Sequence, residues 1–323
     1  MPPRRSRRRS VVGIDQDELL DPEALADPDS SFYEINGVRL HHKVCSHEDE
    51  DSPSDQSSGT TVSAAGQSRI GLPILLLHGY GASVFSWSRV MRPLARIAGA
   101  KVLAFDRPAF GQTSRASWSG DDSKPLNPYS IAFSVMATLA FIDYLGAEKA
   151  VLVGIWGGFL ALCKHIAGLV SKMIMAIRGV AQALYVKALV AFLRSSLGAM
   201  LVRWAMDKFG ILGVRVPLRS RGWEIALLEH TISMIIDSVS ATRVPVSKIS
   251  CPVLVVTGDT DRIVPAWNTE RVAHAIPGAN FEVIKSCGHL PQEERPEEFL
   301  SVVERFLRTV FGTPNEQVFQ AAV

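Results

Sequence analysis

The chain has 323 residues, 47% of them hydrophobic, and 34 Lys and Arg against 32 Asp and Glu leave a formal charge of +2. That apolar content suffices for one large α/β domain or two small ones, and so even a charge balance gives no electrostatic footprint for nucleic acid. No uncharged apolar run approaches the ~18 residues of a membrane-spanning helix. The four cysteines, Cys45, Cys163, Cys251 and Cys287, lack the spacing of a disulfide framework or a metal site, so free thiols are expected.

Residues 1–30 read as a basic, disordered N-terminal tail. The opening MPPRRSRRRS lacks the apolar stretch of a secretory signal; a transit-peptide remnant, a nuclear signal and a solvated tail all fit it. Residues 31–154 read as the N-terminal part of an α/β core. SFYEINGVRLHHKV predicts a hairpin turning at Asn36-Gly37, a pair that tolerates the positive φ of a type I′ turn. Residues 46–70 hold few large apolar groups and predict a disordered insertion. Then come short apolar runs: PILLLHG at 73–79, KVLAFDRP at 101–108, KAVLVG at 149–154, PVLVVTGD at 252–259 and FEVIKSCGH at 281–289. Such continuous runs suit parallel strands buried on both faces. Helical patterns lie between and after them, at 130–146 and 296–312, with a basic, apolar helical region over 155–245. The C-terminal part of the core spans 246–313, and 314–323 is a tail. Alternation of this kind predicts a doubly wound, mostly parallel sheet, whose reactive groups sit at the C-terminal ends of the strands.

Five motifs stand at those ends: His78-Gly79-Tyr80-Gly81, Asp106-Arg107-Pro108-Ala109-Phe110-Gly111, Gly154-Ile155-Trp156-Gly157-Gly158, Gly258-Asp259-Thr260-Asp261 with Val264-Pro265, and Gly288-His289-Leu290-Pro291 with Glu294 and Pro296. In this order they resemble the α/β-hydrolase superfamily, nearest its MhpC-like and epoxide-hydrolase-like lineage, and the DRPAFG loop is similar to plant members. The likeness covers about residues 70–155 and 250–312. It implies an α/β-hydrolase sheet with a helical cap, Asp261 as the acid of a catalytic triad, His289 as general base, and the backbone N–H groups of Tyr80 and Gly157 as oxyanion hole. Asp259 reads as a turn residue.

The family's nucleophile belongs at the centre of the G-x-Nu-x-G elbow, and here that position is Trp156. Indole has one N–H donor and no lone pair to attack with. Cys163 lies about two helical turns further on, and Ser83 belongs to another strand end. Two explanations stay open. One is replacement at a single position; the other is loss of a block after Gly154 carrying nucleophile, elbow helix and a following core strand. The second accounts for two absences at once, since no clean β run appears between Phe159 and Leu201.

Residues 155–210 carry seven basic side chains against the single acid Asp207. They read as an apolar cap with basic side chains laid over it, or as a cationic surface making peripheral membrane contact. Glu224 and Glu229 read as solvated helix charges. The expected partner is an apolar small molecule or lipid-like substrate of ester or epoxide type, with no nucleic acid, no metal and no cofactor. A cytosolic or plastid location is compatible. The chain is read as a hydrolase by resemblance that uses Asp261 and His289 and is inactive as it stands for want of the nucleophile; a non-catalytic, ligand-binding pseudo-hydrolase and a truncated splice or gene-model product are the alternatives.

Overall fold

In the computed structural model the described residues are 10–11, 14–48, 70–116, 126–155, 180–198, 200, 219–239 and 246–312. Strands β1 (Ser10–Val11) and β2 (Ile14–Asp15) form a small ribbon. Strands β3 (Ser31–Ile35) and β4 (Val38–Cys45) form the expected hairpin, with Asn36 and Gly37 at φ 49° and 72°. Next come β5 (Ile74–Leu77), α1 (Met91–Ala98), β6 (Val102–Phe105), α2 (Ile131–Tyr144), β7 (Val151–Gly154) and α3 (Val180–Leu193). The chain continues through α4 (Trp223–Val239), β8 (Leu254–Gly258), α5 (Ala266–His274), β9 (Asn280–Ile284), α6 (Pro291–Glu294) and α7 (Pro296–Phe311).

Strands β3-β4-β6-β5-β7 form one mixed sheet, parallel over β6, β5 and β7 and antiparallel at the hairpin, while β8 and β9 pair in parallel by themselves. The period of two along a strand sorts the core into layers. Ile74 and Leu76 of β5, with Val102 and Ala104 of β6, join α1 and α7 on one face. Leu75, Leu103 and Phe105 join Phe133, Ala137 and Phe141 of α2 on the other. This is the doubly wound arrangement that the all-apolar runs predict. Leu254 and Val256 of β8 pack on the first layer, so the C-terminal strands share that core. Truncating a fully buried leucine such as Leu76 costs about 2–5 kcal/mol.

Among the described residues no strand joins β7 to β8. Leu152, in register with Leu75 on the face that α2 covers, is 53% exposed. The expectation that the 149–154 run is buried on both faces is therefore corrected. Among the described residues nothing covers that position of the outer strand.

The N-terminal tail is also corrected, over residues 14–30. Ile14 and Leu19 pack against the cluster of Phe110, Tyr129 and Trp223. Gln16 accepts the Trp223 indole N–H at 2.9 Å, and Leu20 bridges to Ser220. Lys43 holds Asp27 and Asp29, each at 2.7 Å. Those apolar residues follow no period, because their partners are distant in sequence. The expected insertion at 46–70 falls outside the described residues except at its two ends. In the expected cap, α3 and α4 are helical and joined by Arg194, whose guanidinium meets both carboxylate oxygens of Glu229 at 3.0 and 2.9 Å. Glu229 is thus an ion-pair partner and not the free solvated charge expected of it. No described helix is long and apolar enough to cross a membrane.

Candidate active site

The loops after β8 and β9 are stitched together by backbone. Thr260 donates its N–H and its hydroxyl to the Cys287 carbonyl at 2.9 and 2.8 Å, and Asp259 N–H donates to Ile284 at 3.0 Å. This brings Asp261 to His289, with Oδ2 to Nδ1 at 2.8 Å. The other oxygen, Oδ1, accepts the amides of Ile263 and Val264, both at 2.8 Å. Burial raises the Asp261 pKa, but the His289 hydrogen bond, the two amides and the imidazole charge outweigh it, and the carboxyl is held below its ordinary value. An ionised Asp261 fixes the Nδ1–H tautomer and leaves Nε2 as the acceptor. Among the described residues no hydroxyl, thiol or second carboxylate hydrogen-bonds that Nε2. Asp259 faces the other way: its Oδ1 takes the Cys287 amide at 3.3 Å, which fits its reading as a turn residue.

Glu294 reaches back over the histidine loop. Its carboxylate accepts Gly288 N–H at 2.7 Å and Leu290 N–H at 3.1 Å, on either side of His289. The sequence quotes this residue in a motif but gives no sign of the bracing role, which depends on a turn of α6. Helix α6 packs against the Val84–Trp87 turn, and Arg89 donates to the Glu293 carbonyl at 2.6 Å. That contact carries the histidine loop to the loop after β5.

His78 opens that loop. It accepts the Arg107 amide on Nε2 at 3.0 Å, and its Nδ1–H donates to the Gly79 carbonyl at 2.8 Å. Burial first, then the Arg107 charge, lowers its pKa to about 4, so the ring is neutral. A Cβ on Gly79 would stand 3.2 Å from the Ile155 side chain, so the Gly79-Tyr80 turn lies against the residue preceding the elbow centre. Trp156 and Gly157 themselves lie outside the described residues, as does Cys163. Ser83 is buried beside the Asp106 loop, with its oxygen lacking a partner. Cys287 is buried too, and its thiol is pushed up to about 11 by burial first and by the Glu294 charge second, which leaves it unreactive.

Asp106 is the organising carboxylate of the next loop, a role its sequence motif does not disclose. It accepts the amides of Val84 and Gln112 at 2.7 and 2.8 Å and binds His41 Nδ1 at 2.7 Å. Gly111, at φ 49°, is required because a Cβ there would overlap the Asp106 carboxylate. Burial raises the Asp106 pKa, and the His41 bond and charge, the His78 charge and the Gln112 amide bring it below its ordinary value. His41 Nε2 then meets Ser30 Oγ at 2.8 Å, which ties the N-terminal strap to the sheet. Among the described residues no group of three or more His, Cys, Asp or Glu could hold a metal ion.

Residues 74–302 match the model of the alpha/beta hydrolase family. The chain is 25% identical over 265 residues to a 2-hydroxymuconate semialdehyde hydrolase of Pseudomonas putida, covering 73% of this chain and 87% of that protein. It is 26% identical over 259 residues to a 2-hydroxy-6-oxononadienedioate/2-hydroxy-6-oxononatrienedioate hydrolase of Klebsiella pneumoniae, covering 72% and 86%. Among solved structures, the enol-lactonase of Burkholderia xenovorans superposes with a TM-score of 0.54 at 16% identity, over 86% of this chain and 99% of that one.

Proposed function

The chain belongs to the alpha/beta hydrolase family, and we propose that it binds an apolar ester, lipid or epoxide-like small molecule that, as this chain stands, it does not hydrolyse. One observation carries the reading: Asp261 and His289 are paired at 2.8 Å for proton transfer, in a chain whose G-x-Nu-x-G motif has Trp156 at its centre. In a working centre Asp261 orients the imidazole, Nε2 takes the proton of an attacking hydroxyl, and the N–H groups of Tyr80 and Gly157 hold the oxyanion. Every part of that scheme has a residue here except the attacker. The hydrolase names of the relatives support a small molecule as the ligand and hydrolysis as the chemistry of a working centre. The order of the five motifs supports the MhpC-like and epoxide-hydrolase-like lineage, and the DRPAFG loop supports a likeness to plant members. Helices α3 (Val180–Leu193) and α4 (Trp223–Val239) support a cap over an apolar ligand.

The test is labelling of the intact chain with a fluorophosphonate, followed by peptide mapping. No adduct is expected. An adduct on any side chain, Ser30 beside His41 included, overturns the reading of a silent centre.

The sheet favours a second reading of how the nucleophile was lost. Among the described residues β7 is an edge strand with Leu152 exposed, and β8–β9 stand apart. That supports loss of a strand-and-helix block after Gly154 over simple replacement. Comparison of transcript and genomic sequence around codon 154 decides it. Coding sequence running unbroken through this position, with no skipped segment, sinks the lost-block reading.

A further inference from the structure

The loop after β6 holds two half-buried arginines whose guanidinium groups are served differently. Arg115 donates to three carbonyls, those of Phe110 at 2.9 Å, Thr113 at 2.6 Å and Gly111 at 2.8 Å. Among the described residues no carbonyl accepts from the Arg107 guanidinium. Its Nε, like that of Arg115, is shielded from solvent and unpartnered, and its side chain lies over the Phe110 ring, 5.5 Å from the centroid. The nearest acid in sequence, Asp106, has spent its oxygens on His41, Val84 and Gln112. Burial alone pushes the Arg107 pKa down to about 10.

A second orphan faces the same ring from the cap side. His230 of α4 is 4% exposed, and among the described residues neither ring nitrogen has a partner at full hydrogen-bonding geometry, the Tyr129 backbone being the one acceptor that acts on the ring. Its ring meets Phe110 edge-on at 4.8 Å and Tyr80 at 5.9 Å. The Arg107 charge acts on both His230 and His78, so the three bases share one neighbourhood. That neighbourhood lies beside the Gly79-Tyr80 turn, at the C-terminal ends of β5 and β6.

A buried ion without a counter-charge costs several kcal/mol, and an unsatisfied buried group in a native protein calls for an explanation. Here the unused donors are a planar fork and a neutral imidazole N–H, with Phe110 and Tyr80 as apolar walls. A fork of this geometry matches a carboxylate, which it binds through two parallel hydrogen bonds. We propose that Arg107 and His230 together bind the carboxylate of an amphiphilic ligand whose apolar part packs on Phe110 and Tyr80. This rests on the reading of a ligand site under the cap and refines it: the ester, lipid or epoxide-like molecule bound there also carries a free carboxylate.

The experiment is calorimetric titration and thermal unfolding of the full chain with octanoate and with octanamide, a neutral probe of the same shape. Octanoate is expected to bind at least about ten-fold more tightly than octanamide and to raise the unfolding midpoint. In Arg107→Met that preference disappears, while the ligand-free midpoint stays level or rises because an uncompensated charge has been removed. Arg107→Lys keeps the charge without the fork and is expected to weaken octanoate by about five- to ten-fold. His230→Phe weakens octanoate and spares octanamide. Equal binding of the two probes to the native chain overturns the proposal. So does a carboxylate preference that survives in Arg107→Met or Arg107→Lys, or a sharp fall of the ligand-free midpoint in Arg107→Met, which marks a structural strut. Binding needs no nucleophile, so a fluorophosphonate result of either sign leaves this test standing. Loss of the carboxylate preference likewise leaves the silent-hydrolase reading untouched.

Discussion

Gly258 and Cys287 approach so closely that a Cβ at position 258 would overlap the Cys287 carbonyl. Through this contact the end of β8 lies against the loop after β9, and Asp261 and His289 come into register three residues beyond the first and two beyond the second. Gly258→Ala is expected to cost more than about 2 kcal/mol, since the obstacle is backbone with nowhere to move. Urea unfolding measures it. A variant within about 0.5 kcal/mol of the parent removes the close packing of these loops from the account of how the pair is assembled.

Glu294 braces the same loop from the other side. Glu294→Ala leaves the amides of Gly288 and Leu290 without their acceptor and is expected to destabilise by about 1–3 kcal/mol. Hydrogen exchange of those two amides checks the cause, and protection unchanged from the parent contradicts it.

Stability depends on pH through several shifted groups, and His78, His230, His42, Asp106 and Asp261 all act in the same direction. His78 and His230 are lowered to about 4 and about 3, chiefly by burial, from an ordinary 6.5. Below pH 6.5 the unfolded chain takes up protons that the folded chain refuses, so stability falls as pH drops toward those values, by up to about 1.4 kcal/mol per pH unit for each ring. Asp106 and Asp261 are depressed carboxyls, so their contribution is present above the unfolded carboxylate value and is lost as pH falls through the folded one. Urea titrations between pH 7 and pH 4.5 isolate the histidine part. His230→Phe is expected to remove about a third to a half of that slope, the rest staying with His78 and His42. If the full slope persists in the variant, the neutral buried state of His230 is refuted.

Trp156→Ser separates the two histories of the elbow. With a block of chain missing after Gly154, a serine at 156 has no elbow to stand on, and the variant is expected to stay unlabelled by fluorophosphonate. Labelling of Ser at that position, abolished again by His289→Ala, means that one side-chain change disabled an otherwise whole site.

Much of this was legible along the chain because its causes are local. The strands over 74–77, 102–105 and 254–258 show as unbroken apolar runs, since a strand covered on both faces needs nothing else. The Asn36-Gly37 turn shows because positive φ restricts residue choice. Asp261 and His289 show because they follow strands directly, where such sheets collect their reactive groups.

What no reading along the chain reaches is set by partners far apart in sequence. Ile14 and Leu19 become core only because Trp223 and Phe110 come to meet them. Glu229 is paired because α3 brings Arg194 alongside. Arg107 and Arg115 are the same residue type in one loop, and only the folded backbone decides which of them is given carbonyls and which is left with open donors. Hydrogen bonding acts over about 3 Å, whereas residue order constrains neighbours alone, so residue types and their periods declare the elements, and satisfaction of each polar group is settled when the elements pack.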